Sequence, residues 1–234
     1  DRRCVDADTG DELWKINNWG CGMGPGDGAV VADGYIVSLN LYDNQIYCYG
    51  KGPSETTVTA APKIIAQGTS VIIEGTVTDQ CAGAKKLVED GKISSVPAMA
   101  DESQEDWMEY LYMQQPCPDA ATGVPVELYA IDPNGNYQEI GTAVTDMSGM
   151  FSTMWTPDIE GKYTIVAAFE GSKSYYASYA ETAIGVGPAA SAAQPIEAEE
   201  PAAFTLGTTE LAIIAVAIIA VVGIVAFWAL RKRK

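Results

Sequence analysis

The chain has 234 residues, with 14 basic and 31 acidic side chains, a formal net charge of −17 and no histidine. Such an acidic balance repels nucleic acid and anionic lipid surfaces, which excludes both as partners held by charge. The missing histidine removes the usual proton shuttle near neutral pH and the commonest metal ligand, and with them most hydrolase triads and zinc sites.

Residues 1–50 read as short strands separated by turns. Strands are expected at 3–5, 13–16, 29–31, 35–38 and 45–49, with turns at Asp6-Ala-Asp-Thr-Gly10, Asp33-Gly34 and Tyr42-Asp43-Asn44. An Asp-Gly pair between apolar runs is a strong hairpin signal. Asp6-x-Asp8-x-Gly10-Asp11 has the outline of a calcium loop, but Gly10 and Asn17 stand where an EF-hand needs an oxygen ligand and a bidentate Glu. It therefore reads as a turn, as does Asp132-x-Asn134-Gly-Asn136.

The stretch Cys4-Val-Asp-Ala-Asp-Thr-Gly-Asp-Glu-Leu-Trp14 resembles the repeat of pyrroloquinoline-quinone-like β-propellers, and Gly34-Tyr-Ile-Val-Ser38 with Asp43–Gly50 resembles a following blade. In the second copy Lys51-Gly-Pro53 replaces the threonine–glycine turn and no Trp follows. The resemblance implies that residues 1–52 are the last blade or blades of a propeller. One blade cannot bury its own faces, so further blades are expected upstream, and this piece alone should expose apolar edges.

Residues 56–187 carry alternating runs at 57–59, 70–77, 124–131, 138–145, 151–156, 161–169 and 180–186, with turn chemistry at Asp132–Gly135, Asp146–Gly149 and Pro157-Asp158. Short strands at this spacing are the signature of a β-sandwich. The pieces Trp155-Thr-Pro157, Gly161-Lys-Tyr163 and Phe169-Glu-Gly-Ser172 resemble immunoglobulin-like modules of prokaryotic surface proteins. That resemblance implies that Tyr163 and Phe169 face a core beside Trp155.

An insertion at 82–116 interrupts the sandwich, and Ala98–Gln115 has helical spacing, with Asp101 or Ser103 as its cap. Trp107, Tyr110 and Tyr112 on that helix either pack on the sandwich or form a contact surface; Tyr175, Tyr176 and Tyr179 read as cross-strand pairs or exposed contacts. Five cysteines leave one unpaired. Cys81 and Cys117 bracket the insertion as the candidate disulfide, a bridge worth about 3–4 kcal/mol by loop entropy. Cys4 and Cys48 are a second candidate pair with Cys21 left over, and sequence alone does not fix the connectivity.

Residues 188–209, rich in Ala, Pro and Glu, read as a stalk. Leu211–Leu230 follows without a charge, and Arg231, Lys232, Arg233 and Lys234 end the chain. A helix of that length spans roughly 30 Å, the thickness of a bilayer core. With Trp228 as interfacial aromatic, the expectation is one transmembrane helix, a cytoplasmic tail 231–234 and an extracellular N-terminal part.

The fold class expected is thus all-β: partial propeller blades, an immunoglobulin-like sandwich with a helical insertion, then a single transmembrane helix. No catalytic, cofactor-binding or metal-binding residue is assigned. The function expected is a membrane-anchored cell-surface scaffold or binding and adhesion protein of archaeal type, with a membrane and an extracellular protein or glycan as partners. The alternative is the anchor region of a propeller enzyme or sensor, quinone-dependent by resemblance, whose active part lies upstream.

Overall fold

The computed structural model describes residues 1–20 and 28–189, together with Val221, Val222, Ile224, Val225, Trp228 and Arg231. The chain divides into two units, Asp1–Ala190 and Ser191–Lys234.

At the start of the first unit, β1 (Arg2–Val5) and β2 (Glu12–Ile16) form an antiparallel hairpin. Asp6 shapes its turn, because Oδ1 accepts the backbone N–H groups of Asp8 and Thr9, each at 2.9 Å. Next come β3 (Val30–Ala32), β4 (Tyr35–Asn40) and β5 (Gln45–Tyr49) in a three-stranded antiparallel sheet. Asp33 and Gly34 join β3 to β4 with φ of 51° and 79°, the left-handed pair that an Asp-Gly hairpin requires.

These sheets correct the expectation of propeller blades. A blade is a four-stranded sheet that closes with its neighbours around a channel. Here a pair and a trio of strands stand separately, and no propeller closure exists among the described residues. The reason lies at Gly52. Its N–H donates to Ser174 O and its carbonyl accepts from Tyr176 N–H, both at 2.8 Å, so the chain leaves β5 directly into the next layer. β3 keeps an open apolar edge, with Val30 and Val31 both exposed.

That layer is a β-sandwich. One sheet has the order β11–β8–β6, from β6 (Ser54–Ala61), β8 (Val71–Asp79) and β11 (Met150–Trp155). The other has the order β10–β9–β12–β13–β7, from β7 (Ile64–Ala66), β9 (Pro125–Ile131), β10 (Tyr137–Val144), β12 (Gly161–Phe169) and β13 (Ser178–Gly187). Strict alternation puts Val71, Ile73 and Val77 of β8 opposite Val126, Leu128 and Ala130 of β9 and Tyr163, Ile165 and Ala167 of β12, all within one core. Trp155 packs edge-on against Tyr163 at 5.3 Å between centroids, and Tyr163 and Phe169 are buried, as the immunoglobulin-like resemblance implies. Gly75 sits where β6 and Phe151 press on β8; a Cβ there would lie 2.0 Å from Thr57 O and 2.5 Å from the Phe151 ring.

The short β7 escaped the sequence reading. The first strand of the sandwich is split at Pro62, which lacks an N–H for ladder pairing. β6 pairs antiparallel with β8 in one sheet, while β7 crosses to pair in parallel with β13 in the other.

The insertion between β8 and β9 holds α1 (Ala82–Glu89), a 3-10 turn at Asp101–Ser103 and α2 (Gln104–Tyr112). Between the helices the chain dives back into the core. Asp79 N–H donates to Val96 O at 2.8 Å, Ala98 N–H donates to Val77 O at 3.0 Å, and Val96, Ala98 and Met99 are buried. The insertion is therefore woven into the sandwich rather than hung from it.

Two further expectations are corrected. Cys81 and Cys117 are free thiols, as are Cys4 and Cys48. Cys81 caps α1, its Sγ accepting Ala84 N–H at 3.3 Å, while Cys117 stays on the exposed chain beyond α2. The second correction concerns the transmembrane helix, and with it the single-pass cell-membrane location: no helix among the described residues is long and apolar enough to cross a membrane. Of the anchor residues, Trp228 and Arg231 are described, both helical; Leu211, Leu230, Lys232, Arg233, Lys234 and the stalk 190–209 lie outside the described residues.

Candidate functional site

The N-terminal sheets are fastened to α2 by backbone-to-carboxylate hydrogen bonds. Lys15 N–H donates to Glu105 Oε2 at 2.9 Å and Asn17 N–H to Glu109 Oε1 at 2.8 Å. The Tyr47 hydroxyl lies 2.6 Å from Asp43 Oδ2, to which it donates, and 3.0 Å from Tyr112 O. Burial and the Asp43 carboxylate together push the Tyr47 phenol well above its ordinary pKa, so it stays a donor. Behind it, Trp14, Tyr49 and Tyr47 stack at 5.9 and 6.0 Å. Asn18 Nδ2 donates to Tyr49 Oη at 2.8 Å and to Ser38 Oγ at 3.2 Å.

Where α2 ends against these sheets lies a cleft of about 320 Å³, lined by Asn17, Asn40, Tyr42, Asp43, Met113, Gln114 and Gln115. Asn40, 2% exposed, organises it. Its Oδ1 accepts the backbone N–H of Trp19 at 3.1 Å and of Tyr42 at 3.2 Å, while Nδ2 donates to Asn17 O at 3.3 Å. One carboxamide thus holds two aromatic residues side by side. Their rings stand 5.8 Å apart, tilted by 49°, and Trp19 is 60% and Tyr42 66% exposed. On the opposite wall Gln114 takes φ of 56°, the left-handed position after a helix where Gly is usual. Gln115 N–H donates back to Glu109 O at 3.3 Å. The side-chain amides of Asn17, Gln114 and Gln115 make no hydrogen bond among the described residues.

A second polar cluster ties the insertion to the 171–177 loop. Asp101 accepts from Ser172 Oγ, Lys173 N–H, Ser174 N–H and Ser174 Oγ, at 2.7–3.0 Å. Burial raises its pKa, yet the bonds from Ser174, Lys173 and Ser172 outweigh that and hold the carboxyl below its ordinary value. Asp79, beside it in the fold, behaves oppositely. Burial pushes it up, against the Cys81 N–H bond at 2.7 Å and the Tyr175 hydroxyl at 3.4 Å. Gln104 Nε2 donates to Tyr175 Oη at 3.0 Å. Burial and Asp79 also raise the Cys81 thiol, which therefore remains protonated and weakly nucleophilic.

Of the expected contact residues, Trp107 is buried and Tyr110 leans on it at 5.5 Å. Tyr112 lies half-buried with its hydroxyl 3.8 Å from Cys81 Sγ, and burial raises its pKa. The three serve as packing, not as an open surface. Tyr175 is buried in the polar cluster, whereas Tyr176 and Tyr179 are exposed. Asp101 turns its carboxylate to the loop instead of capping the helix, and Ser103, at the N-cap, makes no capping bond but accepts Thr122 N–H at 2.9 Å. The cleft residues were not singled out from sequence. The signal was present in Asn17-Asn18-Trp19 and Asn40-Leu-Tyr42-Asp43-Asn44, where amides flank aromatics at turns.

No protein-family model matches the chain, and no curated protein matches it. Among solved structures it is similar to fibronectin(III)-like modules of Clostridium thermocellum CbhA, at 12% identity over 66% of this chain and 60% of that one, with a TM-score of 0.30. A β-glucosidase from Listeria innocua matches at 14% identity over 61% of this chain and 18% of that one, and a β-glycosidase from Bacteroides vulgatus at 13% over 66% and 18%, both with a TM-score of 0.30. The chain thus spans three-fifths of the first and under one-fifth of the two enzymes. None of these three structures is a quinone propeller or an archaeal surface protein.

Proposed function

We propose that this chain is a binding and scaffolding module with no catalytic chemistry of its own, with a ligand cleft between its N-terminal sheets and the end of α2 for a protein or glycan partner. The observation that carries the reading is the cleft itself: a concave site lined by the exposed Tyr42, with Trp19 next to it, and by uncommitted amides, held in shape by a buried carboxamide. The titratable groups of the polar cluster support the non-catalytic part. Asp79, Asp101 and Tyr175 spend their hydrogen bonds on joining the insertion to the sandwich, away from the cleft. The net charge of −17 argues against a nucleic-acid partner.

The test is equilibrium binding of the full chain to a panel of immobilised oligosaccharides and purified proteins, with each bound ligand recovered for mass analysis. A saturable ligand recovered unaltered is the expected result. A ligand returned cleaved or oxidised defeats the non-catalytic reading, and a panel without saturable binding defeats the binding one.

A further inference from the structure

We infer that the cleft between the N-terminal sheets and the end of α2 is a carbohydrate site for uncharged pyranose oligosaccharides. Tyr42 on its wall and Trp19, next to Tyr42 outside the lining, are its stacking faces, and Asn17, Gln114 and Gln115 bond to the sugar hydroxyls. The inference rests on the binding reading above and gives it a ligand class.

An aromatic pair left more than half exposed gives up apolar burial that each ring would make in a core, and exposed apolar surface of this kind marks contact sites. Neither ring position is accidental. The backbone N–H groups of Trp19 and Tyr42 share one acceptor, the buried Asn40 Oδ1, so the two backbones are held side by side and their rings stand 5.8 Å apart. A sugar ring offers two kinds of surface: an apolar face of C–H groups and an equator of hydroxyls. The aromatic pair suits the first.

The amides suit the second. A hydroxyl both donates and accepts, and a carboxamide offers both functions within a few ångströms. Three such amides, with no partners of their own among the described residues, line the cleft together with the Asp43 carboxylate, which accepts only. Met113 supplies an apolar floor.

Charge narrows the ligand further. Among the described residues no Lys or Arg lines the cleft, Asp43 does, and the whole chain carries −17. Phosphorylated sugars, uronic acids and sialic acids would be repelled. Nucleobases, which also stack on aromatics, arrive with a phosphate backbone that meets the same field. The volume of about 320 Å³ lies at the low end of small-molecule sites, roughly 300–1,000 Å³. It accommodates a short segment of a longer chain running out over Trp19 and Tyr42.

The experiment is calorimetric titration of the full chain with cellohexaose, chitohexaose and mannohexaose. Saturable binding of at least one is expected. Trp19→Ala and Tyr42→Ala should each weaken it roughly tenfold or more. Trp19→Phe, which keeps a stacking face, should recover most of the loss, and Tyr137→Ala, on the exposed sandwich surface, should change nothing. Thermal unfolding at the wild-type temperature shows that a variant is folded, since Trp19 and Tyr42 are held through their backbone. If a hexasaccharide binds equally well to Trp19→Ala and Tyr42→Ala, the cleft assignment is overturned while the binding function stands. If none binds, or the ligand proves to be a protein that no hexasaccharide displaces, the carbohydrate class is overturned.

Discussion

The sandwich and the N-terminal sheets are both β-structure, yet they are held by different forces. Every residue of the apolar core cluster lies between Val58 and Val186; before Gly52, among the described residues, only Ile16 is a buried hydrophobe. The sandwich excludes water from two matched faces. The N-terminal sheets instead rely on stacked aromatics and on carboxylates of α2 that catch backbone N–H groups. Burial is non-directional and gathers strength with area, whereas hydrogen bonds are directional and each adds little. The first makes a stable body, the second fixes the geometry of a cleft.

Substitutions should separate the two regimes. The largest effect is expected from Ile73→Ala in β8, fully buried, which should cost about 2–5 kcal/mol in denaturant unfolding; a loss below 1 kcal/mol would mean that the sandwich core is not what holds the unit. Asp101→Ala should cost about 1–3 kcal/mol, because four donors lose one acceptor.

The two acids of the polar cluster should respond to pH with opposite signs. Asp101 is depressed in the fold, so its contribution is complete above its unfolded pKa and fades as pH falls through the folded value. Asp79 is raised, so the stability it confers is complete below its unfolded pKa and is lost as pH rises through the folded value. Asp79→Asn should stay within about 1 kcal/mol of wild type near neutrality and flatten that second limb, measured by unfolding across the acidic range.

Glu109→Ala should act locally, by about 1–2 kcal/mol. Hydrogen exchange in β1–β5 should quicken while the β8 and β12 amides keep their protection; uniform loss would show that the two regions unfold as one. The smallest effect is Gln114→Gly, which should stabilise by up to about 1 kcal/mol by relieving a left-handed side chain, read as a small rise in Tm.

Much of the sandwich was legible because its strands alternate and its turns carry Asp, Asn, Pro and Gly. Asp132 Oδ1 accepts Asn134 and Asn136 N–H, and Asp146 Oδ1 accepts Ser148 and Met150 N–H, as that chemistry demands. β7 was hidden because three residues are too few for periodicity, and α1 because a helix of eight residues with one buried side chain carries little pattern. The propeller reading failed on a different ground. A short repeat specifies hairpins, but closure depends on what each sheet meets next, and here Gly52 meets the 174–176 backbone. The cleft could not be seen in one dimension, since it joins residues 17, 40–43 and 113–115 across three elements. Only the tertiary fold brings those amides to one cleft.

The split first strand has a mechanical consequence. β7 runs parallel to β13, with Ile64 against Gly185 and Ala66 against Gly187. Tension applied at the start of β7 and the end of β13 pulls the two strands in opposite directions along their shared axis. The bonds from Gly185 N–H to Lys63 O and from Gln67 N–H to Gly187 O then resist together in shear, rather than opening one at a time like a zipper. A sandwich stitched in this way resists stretching along that axis better than its thermodynamic stability alone suggests.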